Sequence, residues 1–125
     1  MLTTIETNVI FTREESRDLE EIAWNKHATF PGVYLKDLVK GDQTDGKFSC
    51  HLVKVEAGCE LGEHIHANNW EIHEIVIGDA VGYLEGKEMI YTPGTTAIIP
   101  AGSKHRVVAG EHDLYIRAKF IPALV

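Results

Sequence analysis

The sequence predicts an all-β fold, a barrel or a sandwich. Two features carry this. Short β-prone runs recur along the chain, with turns centred on Gly or Pro between them. The final run, Asp113 to Phe120, alternates cleanly, with Leu114, Ile116, Ala118 and Phe120 on one face and Tyr115, Arg117 and Lys119 on the other. That is the period of a strand with a dry inner face and a charged outer face. At 125 residues the chain is a single domain by size, long enough to bury a core without disulfides.

Residues 1–30 read as a lead-in made of an N-terminal strand and a short helix, and residues 31–125 as the barrel. The run TTIETNVIF supplies the first strand. Thr12-Arg13-Glu14-Glu15 has the form of a capping box, with Thr12 as N-cap and Glu15 at the third helical position. It predicts a helix from Arg13 to Glu21, although only Leu19 and Ile22 offer it an apolar face. Pro31-Gly32 is a turn signal, and strands follow over Val33 to Val39 and Phe48 to Glu56. The polar stretch from Gly41 to Gly46 is a hairpin-type loop between them. Further strands fall at Ala80 to Leu84, Met89 to Tyr91, the TTAII run and His105 to Ala109. Glu85-Gly86, Pro93-Gly94 and Pro100-Ala101-Gly102 are the turns.

Composition excludes several classes. There are 19 acidic and 12 basic residues, a net charge of −7, which argues against nucleic-acid binding. No apolar run is long enough to span a bilayer. The first residues lack the basic and apolar regions of a secretory signal. Two cysteines, Cys50 and Cys59, are too few for a disulfide framework and read as small packing residues. A reducing, cytoplasmic setting is the expectation.

The chemistry concentrates between Gly58 and Gly78, GCELGEHIHANNWEIHEIVIG. His64 and His66 are two apart, so on an extended chain both imidazoles point to one face. After Ala67 to Trp70 the chain re-enters a strand in which Glu71, His73, Ile75 and Ile77 share a face if the strand is regular. His105 follows a turn much later and is the fourth donor candidate. Three imidazoles and one carboxylate make a site for a divalent first-row metal with positions left open. His73 points inward beside Glu71 and reads first as a histidine hydrogen-bonded to a neighbour, with a general base near the metal, a residue supporting Glu71 or an alternative ligand replacing it as the other readings. Glu74 points outward. Trp70 either walls the barrel mouth or packs outside. His51 is read as structural or surface, His27 and His112 as exposed, and Tyr83 as a core or surface tyrosine.

The stretch has the form Gly58-x5-His64-x-His66-x4-Glu71-x6-Gly78, and downstream stands Gly94-x5-Pro100-x-Gly102-x2-His105. Together they resemble the two motifs of the cupin superfamily. Ala109 stands where the second motif usually has Asn, so any role of that Asn is absent here. The resemblance covers Gly58 to Ala109. It implies a double-stranded β-helix, the jelly-roll or cupin barrel. It implies His64, His66, Glu71 and His105 as metal ligands, and one divalent ion among Mn, Fe, Ni, Zn or Cu.

Two functions follow as expectations. One is a metal-dependent enzyme, a dioxygenase or isomerase, acting on a small polar substrate that chelates through oxygen, with His73 as its catalytic candidate. The other is a non-catalytic sensor or carrier of a small molecule. A homodimer is expected, formed through edge strands or exchange of Thr3 to Phe11.

Overall fold

The computed structural model describes residues 5–125. Its strands are β1 (Val9–Phe11), β2 (Ser16–Asp18), β3 (Asn25–Lys26), β4 (Val33–Val39), β5 (Ser49–Val55), β6 (Glu60–His64), β7 (Trp70–Ile77), β8 (Ala80–Leu84), β9 (Lys87–Tyr91), β10 (Thr96–Ile99), β11 (His105–Ala109) and β12 (Leu114–Ile121). One sheet has the order β10-β7-β12-β5-β4-β3 and the second β6-β11-β8-β9. All pairings are antiparallel. The inner faces of the sheets meet in one apolar core. Val33, Val53, Val55, Ile75, Ile116 and Phe120 come from the larger sheet, and Leu61, Val107, Ala109, Ala80 and Tyr91 from the smaller. Burial of these side chains is the main force closing the barrel. The turns match their residues. Glu85 and Gly86 both have positive φ, 49° and 79°, as a two-residue hairpin turn between twisted strands requires.

A second core lies on the outer face of the larger sheet. Leu38, Cys50, Leu52 and Tyr115 are buried there against Ile5, Leu19 and Ile22 of the lead-in. Lys36 also points outward and is buried; its Nζ donates to the Leu19 carbonyl at 2.8 Å and lies 5.0 Å over the Trp24 ring. The outer face of β12 is therefore not uniformly charged, because Tyr115 is covered by the lead-in.

The helix expected from Arg13 to Glu21 does not form. Among the described residues the only helical segments are 3-10 turns at Leu19–Glu21 and Gly41–Gln43. Thr12 Oγ1 does accept the Glu15 N–H, at 3.1 Å. The Thr12 N–H also donates to the Glu15 carbonyl at 2.8 Å, so the two residues close a hairpin turn. Phe11 then pairs with Ser16 and Val9 with Asp18. A charged segment with two apolar residues has no stripe to bury as a helix. As a hairpin and turn it delivers Leu19 and Ile22 to the outer core. Residues 1–4 lie outside the described residues; within the described part of TTIETNVIF only Val9–Phe11 is strand.

Strand β7 carries a second correction. Its register with β12 shifts between Tyr115 and Ile116. The shift is a bulge, and a bulge exchanges the faces beyond it. Glu71, His73 and Ile75 face the barrel interior, while Ile77 packs with the outer core.

Candidate metal centre

Three strands and one turn converge on one end of the barrel. His64 ends β6 and lies opposite His105, the first residue of β11. His66 sits in the turn after β6, and its carbonyl accepts the Gly102 N–H at 2.9 Å. That bond ties the first histidine pair to the Pro100-Ala101-Gly102 turn that delivers His105. Glu71 projects inward from β7, opposite Phe120 on β12. One donor atom each from His64, His66, Glu71 and His105 can be chosen so that all four lie within 4.8 Å of one another.

Backbone carbonyls fix the ring orientations. His64 Nδ1 is 2.7 Å from the Gly62 oxygen, and His105 Nδ1 is 2.9 Å from the Ser103 oxygen. A carbonyl only accepts, so each Nδ1 carries the proton and each neutral ring keeps its Nε2 lone pair free. His105 Nε2 lies 3.0 Å from Glu71 Oε1. The two atoms are close enough to attract as an ion pair, yet they are not aligned as a hydrogen bond. Both are buried without a hydrogen-bond partner. Glu71 is 3% exposed and His105 2%. A buried carboxylate oxygen this close to an imidazole nitrogen needs a cation there, either the proton of a charged His105 or a metal ion bound by both atoms. With three imidazoles and one carboxylate within reach of one point, the donor set fits a metal ion.

The other carboxylate oxygen is engaged. Glu71 Oε2 accepts from His73 Nε2 at 2.8 Å, and His73 Nδ1 accepts from the Tyr91 hydroxyl at 2.9 Å. His73 is 1% exposed. Ala118 on β12 and Ala97 on β10 lie opposite it in the two ladders, and their small side chains leave room for the ring. His73 is thus held between Glu71 and Tyr91 and does not line the cavity beside the donors.

The charges follow from this packing. Burial pushes the His64 imidazole down to about 4, against a smaller opposing pull from the Gly62 carbonyl. Burial lowers His66 as well. For His105, burial is outweighed by the Glu71 carboxylate and the Ser103 carbonyl, so its pKa is raised. Burial works against the Glu71 carboxylate, but the adjoining His73 and His105 rings hold its pKa below the ordinary range. At neutral pH, Glu71 is a carboxylate and His64 is neutral, as ligands must be, and an ion binding His105 displaces the proton that Glu71 favours there.

A cavity of about 80 Å³ opens beside the donors. His64, His66 and Glu71 line one part of it, and Val33, Leu35, Val53, Leu61, Phe120 and Leu124 supply apolar wall. His27 lines it too. Its Nδ1 accepts the N–H groups of Thr29 and Phe30 at 3.0 and 3.2 Å, so the ring proton is on Nε2. Burial lowers the His27 pKa. The expectation that His27 is merely exposed is corrected; it lies in the lead-in, where the sequence offers no periodicity to place it. His51 is also inward, and is bonded to Asp37 and Ser49. Both faces of β5 are buried, so alternation alone gave its side chain no direction.

The remaining expectations sort by face. Glu74 points outward and pairs with Lys119 at 2.7 Å. Tyr83 lies under the Arg106 guanidinium at 4.3 Å, and Trp70 is exposed. His112 is exposed near Asp79. Cys50 is buried and Cys59 half-buried, both as free thiols.

The family model described as a cupin domain matches residues 51–116, more than half of the chain. The chain belongs to the cupin family. No curated protein matches this cupin. Among solved structures, a predicted oxalate decarboxylase from Thermotoga maritima is 24% identical, with a TM-score of 0.76, over 82% of this chain and 95% of its own. KdgF from Halomonas sp. is 25% identical, with a TM-score of 0.73, over 82% of this chain and 90% of its own. Ectoine synthase from P. lautus is 21% identical, with a TM-score of 0.76, over 87% of this chain and 78% of its own. These likenesses establish the barrel. The relatives' named activities differ from one another, so fold alone does not select among them.

Proposed function

We propose that this cupin is a metal-dependent enzyme acting on a small polar substrate that chelates through oxygen, of the dioxygenase or isomerase type. His64, His66, Glu71 and His105 hold one divalent first-row ion. The observation that carries this is the buried pair Glu71 Oε1 and His105 Nε2, both without a hydrogen-bond partner, inside a four-donor group that borders a cavity. The ion supplies Lewis acidity toward a substrate oxygen when bound. The protein residues orient the donors. Gly62 and Ser103 carbonyls hold the His64 and His105 rings in the ligating tautomer. His73, fixed by Tyr91, orients the Glu71 carboxylate, as partners of metal ligands commonly do. This arrangement favours His73 as a positioning residue over a base that meets substrate. The apolar wall lines the space beside the donors.

The small cavity also favours a second reading, in which the loaded protein retains a ligand without converting it. Metal analysis and turnover separate the two. Protein purified without a His-tag is expected to carry close to one equivalent of metal, and His64→Ala to lose most of it. An unchanged stoichiometry in the variant would refute the site. Product formation or oxygen uptake with a panel of diols and keto acids supports the enzyme, and tight binding without turnover supports the sensor or carrier.

A further inference from the structure

One wall of the cavity comes from outside both histidine stretches. Residues 122–125 run on from β12 as a strap. Asn69 Nδ2 donates to the carbonyls of Pro122 and Ala123, at 2.9 and 3.3 Å. The Ala123 N–H donates to Gly46, and the Val125 carbonyl accepts from Gly41 at 2.6 Å. The strap lies so close to Gly41 that a Cβ there would sit 2.8 Å from the Ala123 Cβ. Leu124 lines the cavity and is 37% exposed, so it stands between the metal site and solvent.

A buried polar chain pins the strap at this residue. The Leu124 N–H donates to Ser49 Oγ at 2.9 Å. The Ser49 hydroxyl donates to His51 Nε2 at 2.9 Å, and His51 Nδ1 donates to Asp37 Oδ1 at 2.8 Å. One consistent direction of donation satisfies every group. Asp, His and Ser in this order activate a nucleophile when the serine faces a substrate. Here Ser49 is fully buried and its oxygen already accepts the Leu124 N–H. The chain acts as a fastener, and a fully satisfied buried network is a rigid one. Phe120 lies edge-on to both His51, at 5.4 Å, and His66, at 4.9 Å, so the fastener and the metal site share a wall.

We propose that Leu124 is the size gauge of the metal-site pocket, held by the Asp37–His51–Ser49 fastener, and that the pocket takes a small hydroxy or oxo acid with a short alkyl body. This rests on the metal-dependent reading above. His64, His66 and Glu71 line the cavity for an oxygen-chelating head. Val33, Leu35, Phe120 and Leu124 offer the alkyl end an apolar lining. The cavity of about 80 Å³ is well below the roughly 300–1,000 Å³ of an ordinary ligand pocket, so it suits a short alkyl body and discriminates by chain length.

The test uses the full chain loaded with cobalt(II), whose visible spectrum reports a ligand entering the coordination sphere. A series of straight-chain 2-oxo acids from glyoxylate upward is titrated, with azide as a probe too small to reach Leu124. Wild type is expected to bind the short members and lose affinity beyond a limiting length. Leu124→Ala should keep its metal stoichiometry and azide affinity and bind the first excluded acid about tenfold more tightly, the scale of one methylene in an apolar pocket. Leu124→Trp should shorten the limit. Ser49→Ala should relax the limit in the same direction as Leu124→Ala and speed hydrogen exchange at the Leu124 amide. Circular dichroism checks that each variant is folded. Loaded Leu124→Ala with the wild-type length limit overturns the gauge alone. Unchanged Leu124 amide exchange in Ser49→Ala overturns the fastener. Wild type that takes up no metal overturns the metal-dependent reading and this proposal with it.

Discussion

Glu71 has two carboxylate oxygens with opposite fates. Oε2 accepts from His73, and Oε1 faces His105 without a hydrogen bond. The first fixes the group and the second leaves it available to a cation. Tyr91 completes the arrangement from β9, and burial with the nearby Glu71 charge raises its pKa, so its hydroxyl stays protonated and can donate. Tyr91→Phe removes that donor while keeping the ring that fills the core. It is expected to weaken metal affinity about tenfold and to lower stability by about 1–3 kcal/mol, because His73 Nδ1 stays buried without a partner. Competition against a chelator of known affinity, with urea denaturation of the metal-free protein, checks both. Unchanged metal affinity would reduce Tyr91 to a packing role. The four donors were legible in the sequence because their spacing survives any reasonable strand assignment. His27 and His51 were not, since each takes its direction from a partner distant in the chain or from a strand buried on both faces.

Strands and turns were read more securely than the lead-in. The runs Val33–Val39, Ala80–Leu84 and His105–Ala109 stand as strands over those bounds, because Gly and Pro turns delimit them sharply. The lead-in departs from the expected helix because a Thr followed three residues later by Glu closes a hairpin turn as well as it caps a helix. What decides is whether an apolar stripe follows, and here it does not. The consequence is the outer core, where the lead-in shields Tyr115. Burial raises the Tyr115 pKa, and the hydrogen bond to Glu6 at 3.0 Å raises it further. The folded state therefore keeps the Tyr115 proton at a pH where the unfolded chain, with a phenol near about 10, has lost it. Above that pH the unfolded state binds fewer protons, so stability falls as pH rises. Tyr115→Phe is expected to be less stable than wild type near neutral pH and to show a shallower decline between about pH 10 and 11.5. Urea midpoints across that range measure it, and parallel declines in the two proteins would mean the lead-in does not hold the phenol.

At the scale of the molecule, two cores share one sheet, and they differ in what borders them. The barrel core ends in the metal donors. The outer core ends in the β1–β2 hairpin, which pairs with neither large sheet. Phe11 at its tip is 80% exposed. An unpaired edge beside an exposed aromatic is a surface that a second chain can cover. The homodimer is therefore proposed to form through this hairpin, with one copy's lead-in against the other's. The acidic charge of −7 opposes close approach, so association should strengthen as salt screens it. Size-exclusion chromatography with light scattering is expected to give a dimer at micromolar concentration. Phe11→Asp, which places a further negative charge at the contact, should give a monomer with unchanged metal content. A wild-type monomer at that concentration, or a Phe11→Asp protein that dimerises as before, would remove the hairpin from the interface.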